Sequence, residues 1–189
     1  MLLETLLLSP CFLSGKTSHK DSQTKIYIHR SLLADDEVLL FFDIDDQTDH
    51  YCDIRDGNSH RRKLRELFWE KREGHRLCDF LVFYAKGSKR VFCFVELKDD
   101  KSAFLDAKDQ VISTCSAFKD KLANEFKKNY IVEAFICFSK GTLPKEYKVA
   151  LDELNKMFIA YEHDGKPENF LNFLRGEDVK FNKRGQKKK

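Results

Sequence analysis

Proline and glycine are scarce in this chain, with three and eight of them among 189 residues. Long flexible linkers are built from such residues, so little of the chain is available for one. No two of the six cysteines (Cys11, Cys52, Cys78, Cys93, Cys115 and Cys137) form a CxxC pair. Zinc and iron–sulfur centres therefore lack their usual ligand spacing. His19, His29, His50, His60, His75 and His163 show no HxxxH or HxH pattern. No glycine-rich phosphate loop is present, which leaves ATP or NAD use without support. Ser14 and Ser139 lack the context of a nucleophile elbow. The apolar opening, Met1 to Leu8, carries Glu4 and no positive flank. It reads as neither a signal peptide nor a membrane span.

What the chain does have is a core. Hydrophobic residues make up 42% and charged residues 34%, and seventeen are phenylalanine. That balance belongs to soluble globular domains, and the length favours one domain with a sizeable interior. We expect a single domain over 1–179. Cys93 and Cys137 sit in apolar runs, where cysteine packs as a small hydrophobe. The six cysteines are read as reduced thiols of a cytoplasmic protein. The net charge of +3 neither requires nor excludes a polyanionic partner.

Hydrophobic periodicity predicts strands at Lys25–His29 and Val38–Ile44. A helix is expected from about Ser59 to Glu73, with Leu64, Leu67 and Phe68 on one stripe, Ser59 as its cap and Gly74 at its end. Strands Phe80–Tyr84 and Arg90–Lys98 follow, joined by a polar turn over 85–89. Phe104, Ala107, Val111, Cys115, Phe118 and Leu122 step by three or four, predicting a helix over about 101–127. A buried strand is expected at Tyr130–Ser139, a helix from Leu143-Pro144 to Lys156, a strand at Met157–Tyr161 and a short helix at Pro167–Arg175. This order predicts an α/β fold with helices covering a central mixed sheet.

One triplet in this pattern needs a chemical explanation. Val91-Phe92-Cys93-Phe94-Val95 reads as a buried strand, yet it runs directly into Glu96-Leu97-Lys98. Charges are costly to bury unpaired. Residues two apart on a strand share a face, so Glu96 and Lys98 are neighbours while Leu97 points away. Asp79, 17 residues before Glu96, opens the preceding strand and can meet the triplet across a hairpin. Two carboxylates suit a divalent cation, and the amine can oppose charge on a phosphate.

Asp79, Glu96 and Lys98, spaced in this way, resemble the active-site hairpin of the PD-(D/E)XK nuclease superfamily, in its RecB-like or Holliday-junction-resolvase-like branch. The resemblance covers about residues 60–140 and implies a restriction-endonuclease-like αβββαβ core. It implies that Asp79, Glu96 and the Leu97 carbonyl hold Mg²⁺, with Mn²⁺ able to substitute, and that Lys98 is the catalytic lysine. Several such families place a glutamine where Gln110 stands, twelve residues past Lys98, so Gln110 joins the site. Many carry another acid on the preceding helix. Glu66, Glu70 and Glu73 are the candidates there, with Glu70 nearest the apolar stripe. The family's proline before the aspartate is replaced by Cys78. The function implied is hydrolysis of phosphodiester bonds, most readily in DNA, with a homodimer or a partner subunit as the assembly the family suggests.

Other readings compete. A nuclease fold that has lost catalysis would bind nucleic acid or a protein partner. Phe41-Phe42-Asp43-Ile44-Asp45 has the strand-then-DxD look of haloacid-dehalogenase-like phosphatases, with Asp43 as nucleophile and Asp45 as acid/base. The expected Gly-Thr is replaced by Asp46-Gln47-Thr48, so an acidic turn is the preferred reading. Basic segments at 60–63, 86–90, 119–121 and 127–128 suit a phosphate backbone without reading sequence. The tail 180–189 holds Lys180, Lys183, Arg184, Lys187, Lys188 and Lys189 without an acid and is expected to be disordered.

Overall fold

The computed structural model describes residues 30–44, 77–121 and 130–177, together with Ile26, Ile28 and the short segments 12–13, 54–55 and 61–62. Its strands are β1 (Phe12–Leu13), β2 (Glu37–Asp43), β3 (Ile54–Arg55), β4 (Arg61–Arg62), β5 (Phe80–Lys86), β6 (Lys89–Asp100), β7 (Ile131–Lys140) and β8 (Ala160–Gly165). Its α-helices are α1 (Phe104–Lys121), α2 (Tyr147–Met157) and α3 (Phe170–Arg175). The main sheet runs β1-β2-β5-β6-β7-β8, and β3 pairs with β4 apart from it. β1, β2, β5 and β6 are antiparallel neighbours, whereas β6, β7 and β8 run parallel. The fold is α/β, with a mixed sheet flanked by helices.

Alternation along the strands divides the core into two layers. Phe42, Leu81, Phe92, Phe94, Ala134 and Ile136 face α1 and α2, meeting Phe104, Val111, Phe118 and Leu154. Phe41, Val82, Cys93, Val95, Phe135 and Cys137 face α3, meeting Phe170, Phe173 and Leu174. Phe135 packs edge-on to Phe170 at 4.9 Å between centroids. β6 is buried from Val91 to Leu97, as expected of a central strand covered on both faces. Each large side chain so buried contributes about 1.5–3 kcal/mol.

The elements depart from the sequence pattern at their ends. Arg61–Arg62 pairs as a strand with Ile54–Arg55, within the span expected to be helical from Ser59; the rest of that span lies outside the described residues. Ile26 and Ile28 are buried in the α3-side layer but lie outside any strand. The second predicted helix opens as a 3₁₀ turn at Lys101–Ala103, because the Asp100 carboxylate accepts the Ser102 N–H at 2.8 Å. Pro144 precedes α2 rather than entering it, and its carbonyl accepts the Tyr147 N–H. Met157 ends α2 and Phe158 is extended, which delays the last strand to Ala160. The turn between β5 and β6 tightens to Gly87-Ser88, and Gly87 takes a φ of 54° that glycine adopts without strain. Pro167–Asn169 forms a 3₁₀ turn ahead of α3. Cys78, Cys93, Cys115 and Cys137 are buried free thiols. The basic tail 180–189 and residues 63–76 lie outside the described residues.

Two buried carboxylates lie at the far end of the α3-side layer from the ExK triplet. Glu37 receives both Nε and a terminal nitrogen of Arg175, at 2.8 and 2.6 Å, and the Tyr84 hydroxyl at 2.8 Å. The Ala34 N–H donates to it as well. Arg175 thus ties the end of α3 to the start of β2, and its hydrogen bonds hold the Glu37 carboxyl well below the usual range despite burial. Glu133, on β7, has the opposite environment. Its Oε2 is buried without a hydrogen-bond partner, and burial, only partly offset by Lys89, raises its pKa to about 7.

Their contributions to stability therefore have opposite pH dependence. Glu37 has a depressed folded pKa, so its contribution is present above pH 4.5, its ordinary value, and is lost as the pH falls below that. Removing one partner of such a buried pair costs about 3 kcal/mol. Urea unfolding of Glu37→Ala at pH 7 should show a loss of that order, shrinking toward pH 3; an unchanged midpoint at pH 7 would contradict a stabilising pair. Glu133 has a raised folded pKa, so its penalty grows as the pH rises from 4.5 through about 7. Glu133→Gln should gain up to about 3 kcal/mol over the parent between pH 5 and 8. A constant difference across that range would refute the assignment.

Candidate active site

The ExK triplet meets Asp79 at one end of the sheet. β5 and β6 pair through Phe80 and Val95, so the next step along the hairpin sets Asp79 beside Glu96. The two residues hold each other through backbone as well as side chain. The Asp79 N–H donates to Glu96 Oε2 at 3.1 Å, and the Leu97 N–H donates to Asp79 Oδ2 at 2.7 Å. The Ile44 N–H donates to the Asp79 carbonyl at 3.2 Å, which brings the end of β2 alongside.

Glu96 is fully buried. Its Oε1 lies 2.7 Å from Lys98 Nζ, a partly buried ion pair. Lys98 Nζ also donates to Gln110 Oε1 at 2.6 Å and lies 3.5 Å from Asp106 Oδ2. Gln110 in turn donates through Nε2 to the Leu77 carbonyl at 2.8 Å. One turn further along α1, Thr114 Oγ1 accepts the Cys78 N–H at 2.9 Å and donates to the Gln110 carbonyl at 2.7 Å. All of this lies on the α1 side of the sheet. Leu97 alternates to the other face, where its side chain is buried.

Burial, followed by the Asp79 charge, raises the Glu96 pKa to about 8, against the pull of Lys98. Burial disfavours the Lys98 ammonium, but Glu96, then Asp106 and Asp79, outweigh it and hold its pKa above the ordinary value. Cys78 is not a nucleophile in this setting. Burial and the Glu96 charge keep its thiol protonated, and it donates weakly to the Phe80 carbonyl.

The structure thus brings together Asp79, Glu96, Lys98 and Gln110, the four side chains singled out from the sequence. Glu66, Glu70 and Glu73 lie outside the described residues, as does Asp45. Asp43 ends β2 opposite Phe80. Asp106 and Thr114 were missed in the sequence. Asp106 was detectable in principle, since it precedes Gln110 by four residues and shares its helix face. Thr114 also lies four residues from Gln110, but a threonine on a helix carries no chemical signal of its own.

The donors for a cation are hard oxygens: the two carboxylates and the Leu97 carbonyl named by the resemblance. Such a set suits Mg²⁺ or Mn²⁺ better than zinc. Among the described residues, no group of three or more His, Cys, Asp or Glu side chains converges as a metal site. No helix there is long and apolar enough to cross a membrane. Comparison with protein-family models, curated proteins and solved structures finds no match.

The electrostatics can be tested directly. Glu96 holds its proton more tightly folded than unfolded, so its contribution to stability declines as the pH rises from 4.5 through about 8. Carboxyl ¹³C resonances of the metal-free protein should show one glutamate titrating near pH 8, absent in Glu96→Gln and shifted downward in Asp79→Asn. Titration of Glu96 in the ordinary glutamate range would rule out the described burial.

Proposed function

We propose that this chain is a metal-dependent nuclease that hydrolyses phosphodiester bonds, with DNA as the favoured substrate. The observation that carries the reading is the convergence of Asp79 and Glu96 from adjacent strands with Lys98, which Gln110 reaches from α1. A fully buried carboxylate beside a second carboxylate is costly in isolation. A divalent cation held by these carboxylates would offset that cost.

Asp79, Glu96 and the Leu97 carbonyl would hold Mg²⁺, or Mn²⁺ in its place. When bound, the metal supplies Lewis-acid activation of a water and neutralises charge on the phosphate. The chain's own groups do the rest. The crossed N–H bonds fix one oxygen of each carboxylate, Glu96 Oε2 and Asp79 Oδ2. Lys98 stays protonated and opposes charge developing on the phosphoryl oxygens. Gln110 holds Lys98 in position at 2.6 Å. The antiparallel neighbours β2, β5 and β6, followed by α1 and the parallel strand β7, are compatible with the βββαβ order that the resemblance implies. That correspondence supports the reading without adding chemistry to it.

A second reading has one observation in its favour. Two carboxylates are a sparse ligand set, and Lys98 already neutralises Glu96 at 2.7 Å. A chain in which that pair replaces the metal would bind nucleic acid or a protein partner without cutting.

One experiment separates the two. The purified protein is incubated with linear, circular and single-stranded DNA in Mg²⁺, Mn²⁺ or EDTA. Cleavage should require metal. It should fall about 10²–10³-fold in Lys98→Ala and in Glu96→Gln, the range for loss of a transition-state electrostatic contact. DNA retention without cleavage, unchanged by metal or by either substitution, would establish the binding reading instead.

A further inference from the structure

Thr114 lies within the α1-side core and touches neither carboxylate of the site, yet its hydroxyl is committed on both sides. A hydroxyl carries one proton. That proton is donated to the Gln110 carbonyl at 2.7 Å, so the oxygen presents a lone pair to the Cys78 N–H at 2.9 Å. Four residues away on the same helix face, Gln110 Nε2 takes the carbonyl of Leu77 at 2.8 Å. Consecutive backbone groups of the segment entering β5 are therefore gripped by one helix, the carbonyl of residue 77 and the N–H of residue 78. The next residue is Asp79.

From this geometry we infer that Thr114 is a positioning residue for the metal-binding carboxylates, acting through the backbone at Cys78; the inference rests on the nuclease reading above. The Asp79 N–H is the donor to Glu96 Oε2, and the Asp79 carboxylate accepts from Leu97. Any shift of the 77–78 backbone moves both contacts together. Gln110 restrains the same backbone and also Lys98, so its loss would disturb two things at once. Thr114 bonds the Cys78 backbone and the Gln110 main-chain carbonyl, not the Gln110 side-chain amide that holds Lys98. It bears on placement of the carboxylates more directly than on placement of the lysine.

The test reads cation affinity as well as activity. Mn²⁺ binding to the full chain is measured by electron paramagnetic resonance, beside DNA cleavage as a function of metal concentration. Outer-shell partners of metal ligands typically change affinity by about 10–100-fold. Thr114→Ala should weaken Mn²⁺ binding by about 10-fold or more. It should raise the metal concentration for half-maximal cleavage to match, with little change in rate at saturating metal. Thr114→Ser, which keeps the hydroxyl, should restore wild-type affinity. Glu37→Gln, destabilised at a distance from the site, should bind Mn²⁺ normally and so exclude general loss of stability as the cause. If Thr114→Ala does not fold, Thr114→Cys gives the same comparison, since its thiol fills the position but accepts weakly. Unchanged Mn²⁺ affinity in the folded variant, with binding intact in the parent, would overturn the positioning role alone. Absence of Mn²⁺ binding in the parent that depends on Glu96 would overturn the role and the nuclease reading together.

Discussion

A single buried carboxylate organises the charged end of this sheet. Glu96 sits on the central strand with apolar residues before it and none of its surface exposed. An ion removed from water in this way needs compensation from whatever surrounds it. The compensation comes from three elements: the Asp79 N–H at the mouth of β5, the Lys98 ammonium two residues along the same strand, and α1, which holds Lys98 through Gln110. Asp79 adds a second negative charge where a structural ion pair would avoid one. That surplus of negative charge is what gives the cluster a chemical reading rather than a packing one.

The opposite face and end of the sheet show what a purely structural carboxylate looks like. Glu37 is also buried, though less deeply, and its two oxygens are matched by the fork of Arg175, the Tyr84 hydroxyl and the Ala34 N–H. Its pKa is driven down, whereas that of Glu96 is driven up. Both are buried glutamates on strands, and burial raises the pKa of both. The difference lies in the partners: a bidentate guanidinium and hydrogen-bond donors on one side, a neighbouring carboxylate on the other. Glu37 and Glu96 thus stand in opposite electrostatic settings on the two faces of the sheet.

α1 links packing to the site. Its apolar stripe, Phe104, Ala107, Val111, Cys115 and Phe118, is buried against the sheet. That packing fixes the rotation of the helix and carries Gln110 and Thr114 to the segment entering β5. On α1 and α2, Lys108 and Glu153 form an ion pair, and the Lys119 ammonium donates to the Met157 carbonyl at 3.1 Å. These contacts lock the two helices together. The side chains that hold the site are therefore oriented by burial they do not themselves provide.

Much of this was legible in the chain before its structure. The continuous apolar runs of β5, β6 and β7 and the three-four spacing in α1 are local patterns, so the sequence by itself determined the central elements. It also determined that Glu96 and Lys98 share a face, because that follows from a period of two. Ends of elements were less legible. The 3₁₀ turn at Lys101 depends on Asp100 capping Ser102, and the delayed start of α2 and of β8 depends on how 141–146 and 158–159 pack, which no periodicity records. Only the tertiary structure decided that the Asp79 N–H reaches Glu96 and the Leu97 N–H reaches Asp79, that Asp106 approaches Lys98, and that Thr114 grips Cys78. Those contacts join residues as many as 36 apart in the chain. Hydrogen bonds of that kind depend on strand register and helix rotation together, and those are fixed by the packing of the whole core rather than by any one segment.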